Sequence, residues 1–273
     1  MTEAGTRFAI LQRSLEIPDA EKLKRAFRSV HGLTNSDAYT LANDAFGVLV
    51  NNLSPTDAMT LQGALRAEGV ETAVVLQNDL PQLPPTKFVH QMDCLPDALV
   101  VHDAIGRQFT VAWDQILLIA AGRVRLTVFE QERVTPNPPP LQAALDPWWL
   151  VKPRGRSVAQ PAPEYVSRES LVPRLLLEVL LARAVMRFQI EGERFRFNYL
   201  GNRKRPELAE NFALLAQDVM KFAPQAIVNR GAYLLRENTT AVFEYPSKHA
   251  FYEEITWMLW QMANAPKHVP GGQ

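Results

Sequence analysis

The chain has 273 residues, 47% of them apolar and 21% charged, which is the composition of a globular protein of two or three domains. Its 29 acidic and 29 basic residues cancel, so no strong overall field would attract nucleic acid or an anionic membrane. The single cysteine, Cys94, excludes an internal disulfide and a cysteine-only zinc site.

Targeting signals are missing from the sequence pattern. The N-terminus lacks the charged and then apolar order of a signal peptide. The longest apolar run, 175–185, contains Glu178 and Arg183, which a membrane-spanning helix would not tolerate. We therefore predict a cytoplasmic protein that contacts neither membrane nor nucleic acid.

The first 79 residues predict a small α/β sandwich with its helices on one face of a sheet. Apolar spacing and capping residues give the order strand (7–11), helix (capped by Asp19), helix (from Thr34 or Ser36), connection or strand (47–50), helix (capped by Ser54) and strand (70–76). Pro55 directly after Ser54 fits the first position of a helix.

Residues 7–76 resemble the C-terminal domain of the bacterial ribosomal stalk protein. The residues that carry the likeness are His31-Gly32-Leu33, Asp37-Ala38, Leu41, Leu53-Ser54, Asp57-Ala58, Leu61, Ala64-Leu65 and Gly69. In that family, basic residues on the first two helices contact translation factors. The resemblance implies a reused interaction fold in which Arg25 and Arg28 bind a partner.

A linker and a β-meander follow. Pro81, Pro84, Pro85 and Pro96 predict a semi-extended linker over 80–96. Four strand-like runs come next, at 98–103, 108–113, 115–120 and 124–129, with Gly106 and Gly122 between runs. Gaps this short cannot hold a crossover helix, so we expect neighbouring strands to be antiparallel.

A proline-rich insertion, 135–168, interrupts the predicted sheet. Eight prolines fall within 135–163, a density that few regular elements tolerate. The insertion contains Trp148-Trp149, and two adjacent indoles are costly to leave in water. They either dock on the chain's own sheet or bind a partner or a second subunit.

Strands resume after the insertion, at 174–181, 185–190 and 194–199, with a hairpin turn at Gly192. An amphipathic helix starts at Pro206. Seven antiparallel strands closed by one helix resemble a pleckstrin-homology-like split barrel over 97–223, and an orthogonal sandwich would give the same pattern. The predicted fold class is therefore α+β.

The C-terminal part predicts two strands, 227–235 and 240–244, and a last helix, 248–262. Trp257 and Trp260 widen the apolar face of that helix, which predicts packing between domains or, second, a homodimer surface. Residues 97–265 thus form one antiparallel domain with capping helices, and 266–273 a loose tail.

Candidate chemistry is sparse. The sequence has no Gly-rich phosphate loop, nucleophile elbow or His-Glu-x-x-His motif, and we predict no catalytic residue, metal or cofactor. His90, Cys94 and His102 fit no standard metal-ligand spacing, and Asp103 suits a turn. Arg203, Lys204 and Arg205 precede a helix N-terminus, where they either bind an anion or remain solvated.

These patterns predict a non-catalytic interaction or adaptor protein, with Arg25, Arg28, Trp148 and Trp149 as partner contacts. The alternative is a protein that binds a small phosphorylated ligand at Arg203–Arg205. A second alternative is an enzyme of unrecognised type, which requires acids or histidines to converge in a cleft.

Overall fold

The computed structural model describes residues 6–29, 46–103, 105–134, 164–182, 186–237 and 241–265. The chain divides into two compact units, one formed by 1–125 with 173–273 and the other by 126–172. Three sheets, mostly antiparallel, combine with C-terminal helices, which confirms the predicted α+β class.

The first sheet and two helices occupy residues 8–76. The elements are β1 (Phe8–Gln12), α1 (Ala20–Phe27), β2 (Val48–Leu53), α2 (Pro55–Ala67) and β3 (Thr72–Leu76). The sheet has the order β2-β1-β3 and both pairings are antiparallel. As predicted, the Asp19 carboxylate caps α1 and the Ser54 hydroxyl caps α2, each accepting a backbone N–H bond. The helix predicted from Thr34 or Ser36 lies outside the described residues.

The core of this sheet forms where the helices cover β1. Helical side chains at three- and four-residue spacing pack against the buried strand residue Ile10: Leu23, Ala26, Phe27, Ala58, Leu61 and Leu65. The local patterns of both helices therefore agree with their packing.

The central sheet consists of β4 (Thr86–Phe88), β8 (Ile116–Val134), β9 (Glu164–Leu181), β10 (Arg187–Glu191), β11 (Ile227–Val228) and β12 (Glu244–Tyr245). Its order is β11-β8-β9-β10-β4, and β12 also pairs with β8. β10 runs antiparallel to β9 and parallel to β4. β4 is therefore an edge strand of this sheet.

The third sheet is a meander of β5 (Gln91–Cys94), β6 (Ala98–His102) and β7 (Gln108–Ala112), with β6 in the centre. Three helices complete the described fold: α3 (Leu208–Phe222), α4 (Arg230–Arg236) and α5 (Lys248–Asn264). One buried cluster joins the central sheet, the third sheet and α3, with members that include Met92, Val101, Leu177, Phe188, Phe212 and Leu215. On the opposite face of the central sheet, Tyr252 of α5 reaches Glu178.

A buried polar cluster ties α4 and α5 to β8. Asn229 caps α4 and also exchanges hydrogen bonds with the backbone of Ala121. Glu254, 1% exposed, accepts bonds from the Arg230 guanidinium at 2.9 and 3.1 Å and from the Tyr245 hydroxyl at 2.8 Å. Each buried charge in this cluster has a partner, so its role is to hold the elements together.

Several predicted strands are wrong. Residues 115–120 and 124–129 belong to one strand, β8, because Gly122 does not end it but makes room for the Tyr245 ring. Residues 194–199 form no strand; two 3₁₀ segments, Gly192–Arg194 and Phe197–Arg203, replace the hairpin. The buried rings of Phe195 and Phe197, 4.9 Å apart, anchor these turns.

The C-terminal strand predictions are also wrong in extent. Of residues 227–235 only Ile227–Val228 is strand, because the Asn229 cap starts α4 directly afterwards. The predicted strand 240–244 shifts to Glu244–Tyr245. The final helix is confirmed and ends at Asn264.

The predicted linker differs from the structure, because it contains strands. Residues 80–96 contain β4 and β5, which pair in two different sheets. The described strands form three open sheets rather than a closed barrel. The described residues of the second unit are the parts of β8 and β9 within 126–172, so most of the predicted insertion lies outside the described residues. In the described part of the chain, no helix combines the length and apolarity needed to cross a membrane.

Candidate partner-binding site

The two arginines predicted to bind a partner lie at the C-terminal end of α1. Arg25 is exposed, and its guanidinium donates to both carboxylate oxygens of Glu68 at 3.0 and 2.6 Å. The hydrogen bond from Arg25 lowers the pKa of Glu68. Arg28 is also exposed. The face is accessible, but one of its two charges is already matched.

The three cations predicted to bind an anion lie just before α3, which begins at Leu208 rather than Pro206. Arg203 donates to both carboxylate oxygens of Asp218, at 3.0 and 2.7 Å. Asp218 raises the pKa of Arg203 through these bonds. The charge of Arg203 is thus balanced within the protein.

The other two predicted anion ligands, Lys204 and Arg205, are exposed. The backbone beneath them is fixed by Asn211, whose side-chain oxygen accepts the Arg205 N–H at 2.8 Å. The Asn211 amide donates to the carbonyls of Arg205 and Glu207. An anion site at this loop stays a prediction that rests on two solvated cations.

The two pairs of tryptophans predicted to form contact surfaces have different outcomes. Trp148 and Trp149 lie outside the described residues. Trp257 is 2% exposed, its indole N–H donates to the Gln12 carbonyl at 2.7 Å, and its ring meets Phe46 edge to face. α5 therefore packs on β1 through Trp257, whereas Trp260 is half-buried. A homodimer through this helix stays a prediction.

The described histidines and Cys94 stand apart from one another or pair with single carboxylates. In the described ranges, no cluster of three His, Cys, Asp or Glu side chains could hold a metal ion. His102 pairs with Asp93 at 3.0 Å. Cys94 is partly buried, and burial raises the pKa of its thiol to about 12, which leaves it a poor nucleophile.

Asp103 serves the turn between β6 and β7, as predicted. Its carboxylate accepts the N–H groups of Ile105 and Arg107, at 3.1 and 2.9 Å, and the Arg107 guanidinium at 2.7 Å. Burial raises the pKa of Asp103, but these hydrogen bonds outweigh burial and lower it overall. A carboxylate held in its charged form is a weak general base near neutral pH.

A cavity that the sequence did not predict lies beside β4, and we call it the β4 groove. It has a volume of about 720 Å³ and is lined by β4, by residues at β10 and by the β6–β7 turn. A second cavity of about 360 Å³ continues it and shares His90, Asp103 and Arg194 with it. Phe88 and Ile105, 50% and 75% exposed, provide apolar surface along this groove.

The backbone of β4 has one paired side and one open side. The Pro85 carbonyl accepts the Arg187 N–H at 3.0 Å, and the Val89 N–H donates to the Gln189 carbonyl at 2.9 Å. Since alternate residues of a parallel strand point their polar groups in opposite directions, those of Thr86 and Phe88 face the open edge. Among the described residues no other strand pairs with this side of β4, so these groups can accept one.

The rim of the β4 groove is rich in cations. Four basic side chains line its two cavities: Lys87, Arg107, Arg194 and Arg196. The two acidic lining residues already have partners, since Asp103 binds Arg107 and lies 3.9 Å from Lys87, and Glu191 lies 3.4 Å from Arg194. The Arg196 guanidinium is exposed and, within the described ranges, makes no ion pair. The groove therefore carries a net charge of about +2 with histidine neutral.

A buried ion pair between β9 and β10 fixes the chain that leads into β4. Glu178 of β9 is 0% exposed and accepts hydrogen bonds from Arg187 at 3.1 Å and Tyr252 at 2.5 Å. The same guanidinium donates to the Pro84 carbonyl at 2.7 Å. Arg187 thus fixes the residue that leads into β4, so the edge is presented in one geometry.

One signal for this site was present in the sequence. Residues 86–94 contain no proline, and Phe88 and Val89 have high strand propensity, which allows a strand there. The flanking Pro84, Pro85 and Pro96 instead favoured the prediction of a linker. The cations come from three segments far apart in sequence, so nothing local could have grouped them.

No protein-family model, curated protein or solved structure matches this chain. The likeness of residues 7–76 to the ribosomal stalk domain and that of residues 97–223 to a pleckstrin-homology-like barrel therefore stay predictions.

Proposed function

We propose that this chain is a non-catalytic protein-interaction or adaptor protein and that its partner binds in the β4 groove. The observation that carries this proposal is an open strand edge beside exposed apolar side chains, within one concave surface rimmed by cations. Such surfaces mark interaction sites in proteins.

The side chains of the groove favour binding over catalysis. Its two carboxylates are each held by an arginine, and the hydrogen bonds to Asp103 lower its pKa. Phe88 and Ile105 stand in solvent, whereas a small-molecule site usually encloses its ligand. A cytoplasmic location belongs to the same proposal and is supported by the single cysteine.

The test is quantitative affinity capture from a lysate of the source organism with the full chain. Phe88→Asp places a charge on the open edge, while Met59→Asp makes the same kind of change on α2, where Met59 is 69% exposed. Both residues are exposed, so both variants should melt like the wild type. We expect one or more proteins to be lost with Phe88→Asp and retained with Met59→Asp.

The same experiment can contradict the proposal. Identical protein lists for wild type and Phe88→Asp, or a wild-type list no different from that of bare resin, would rule out the groove as the partner site. Arg25→Glu/Arg28→Glu tests the alternative surface on α1. Selective loss with that variant alone would move the site there.

A further inference from the structure

We infer that the β4 groove recognises an extended acidic segment of its partner, which adds to the central sheet as a strand beside β4. This inference rests on the proposed function and specifies the chemistry of the partner. It follows from three features of the groove: backbone polarity, length and charge.

The backbone polarity selects an extended chain. Thr86 and Phe88 each direct an N–H and a carbonyl towards the open edge. A peptide in β conformation satisfies such groups in pairs, whereas a helix has no spare backbone groups along its length to offer them. The exposed Phe88 side chain and Ile105 give apolar side chains of the added strand a surface to cover.

The neighbouring residues limit the length of the paired segment. Before β4, the carbonyls of Pro84 and Pro85 already accept bonds from Arg187. After it, the His90 carbonyl accepts the Arg196 N–H at 2.8 Å. In the described part of the chain, free edge groups therefore remain around Thr86–Phe88, enough for a core segment of about three to five residues.

The charge selects the side chains. The chain as a whole is neutral, but the groove has four cations against two carboxylates. Three of the cations lie within 4 Å of those carboxylates, and Arg196 has no ion-pair partner among the described residues. Carboxylates on the partner would complement Arg194 and Arg196, both exposed, and a basic segment would be repelled. A strand that alternates Asp or Glu with apolar residues presents both kinds of contact at once.

A single-stranded nucleic acid is the competing occupant of a cationic groove. It would use the arginines and stack its bases on aromatic rings, but it has no peptide groups to pair with a strand edge. The open edge of β4 therefore favours a peptide.

The experiment selects peptides from a random display library on the full-length chain and measures the binding of the winners by fluorescence anisotropy. The test variant is Arg194→Glu/Arg196→Glu. Its matched control, Lys204→Glu/Arg205→Glu, makes the same charge change at two exposed cations before α3. We expect winners in which acidic and apolar residues alternate. The test variant should weaken their binding about tenfold or more, and the control less than about twofold.

Backbone methylation of the winning peptide tests the strand. N-methyl groups at alternate residues should abolish binding, and those at the residues between should be tolerated, because only every second N–H faces β4. Neutral or basic winners, or sensitivity without this alternation, would overturn the inference and leave the proposed function in place.

Two further outcomes decide the remaining alternatives. If no selected peptide responds to Arg194→Glu/Arg196→Glu or to Phe88→Asp, and the capture lists are also unchanged, the proposed function itself fails. If an oligothymidine probe binds more tightly than every peptide and loses affinity in the test variant, the occupant is a nucleic acid and the inference is wrong.

Discussion

Replacing the buried Glu178 by glutamine should stabilise the protein at alkaline pH, although it removes an ion pair. Glu178 is 0% exposed, and burial raises the pKa of its carboxyl from 4.5 to about 7 despite bonds from Tyr252 and Arg187. Because the folded pKa lies above the unfolded one, the stability that the carboxyl contributes is fully present below pH 4.5. It is lost as pH rises through about 7.

The magnitude follows from that difference in pKa. A rise from 4.5 to about 7 corresponds to about 3 kcal/mol of unfolding free energy, at about 1.4 kcal/mol per pH unit. Glutamine keeps the volume of Glu178 and can still accept the Tyr252 hydroxyl, but it carries no charge. We therefore expect Glu178→Gln to match the wild type near pH 4.5 and to exceed it by about 3 kcal/mol at pH 8.

Urea unfolding followed by circular dichroism between pH 4.5 and pH 8 measures this effect. The difference between wild type and variant isolates Glu178, since the other titrating groups are common to both. Glu244→Gln, at a 56% exposed side chain paired with Arg123, is the control and should give a nearly constant difference. If Glu178→Gln instead falls further below the wild type as pH rises, the attraction of Arg187 outweighs burial and the reasoning is refuted.

Substitutions at Trp257 and Gly231, with Gly63 as the control for Gly231, test the packing. Trp257→Phe removes the 2.7 Å hydrogen bond to the Gln12 carbonyl and should lower the free energy of unfolding, measured in urea, by about 1 kcal/mol. Trp257→Ala also removes the ring and should lower it by about 4 kcal/mol. Equal losses for the two variants would show that the ring contributes nothing. Gly231→Ala would place a methyl group against the Ala121 backbone and should lower the free energy of unfolding by about 3 kcal/mol or more. The control Gly63→Ala, with no atom within 4 Å of the added methyl group, should stabilise α2 by up to about 1 kcal/mol. A Gly231→Ala variant as stable as the wild type would contradict the close approach of α4 to β8.

Helices with local signals could be predicted from the sequence. Asp19 and Ser54 occupy the caps of α1 and α2 in the structure, because a cap needs only residues two or three positions away. The final helix followed from its apolar period and starts at Lys248 as predicted. For these elements, local preference and tertiary packing agree.

Where secondary structure depends on contacts with residues distant in sequence, it could not be predicted. Gly122 looks like a strand end, but it lies inside β8 because the Tyr245 ring packs against it from the other end of the chain. Ile227–Leu235 has strand-like composition, yet Asn229 turns most of it into α4 by bonding to both its own helix and Ala121. The β4 groove could not be predicted for the same reason, since its cations and the edge of β4 come together only when the sheets assemble.

The buried ion pair and the β4 groove are connected through one side chain. Arg187 binds both Glu178 and the carbonyl of Pro84, which lies two residues before β4. If burial of the Glu178 charge lowers stability at physiological pH, the pair is retained at a cost to folding, as happens at functional sites elsewhere. Glu178→Gln should then be more stable at pH 8 and bind the selected peptides less well, because Arg187 loses the partner that orients it. Equal peptide affinity would show that the pair serves the fold alone.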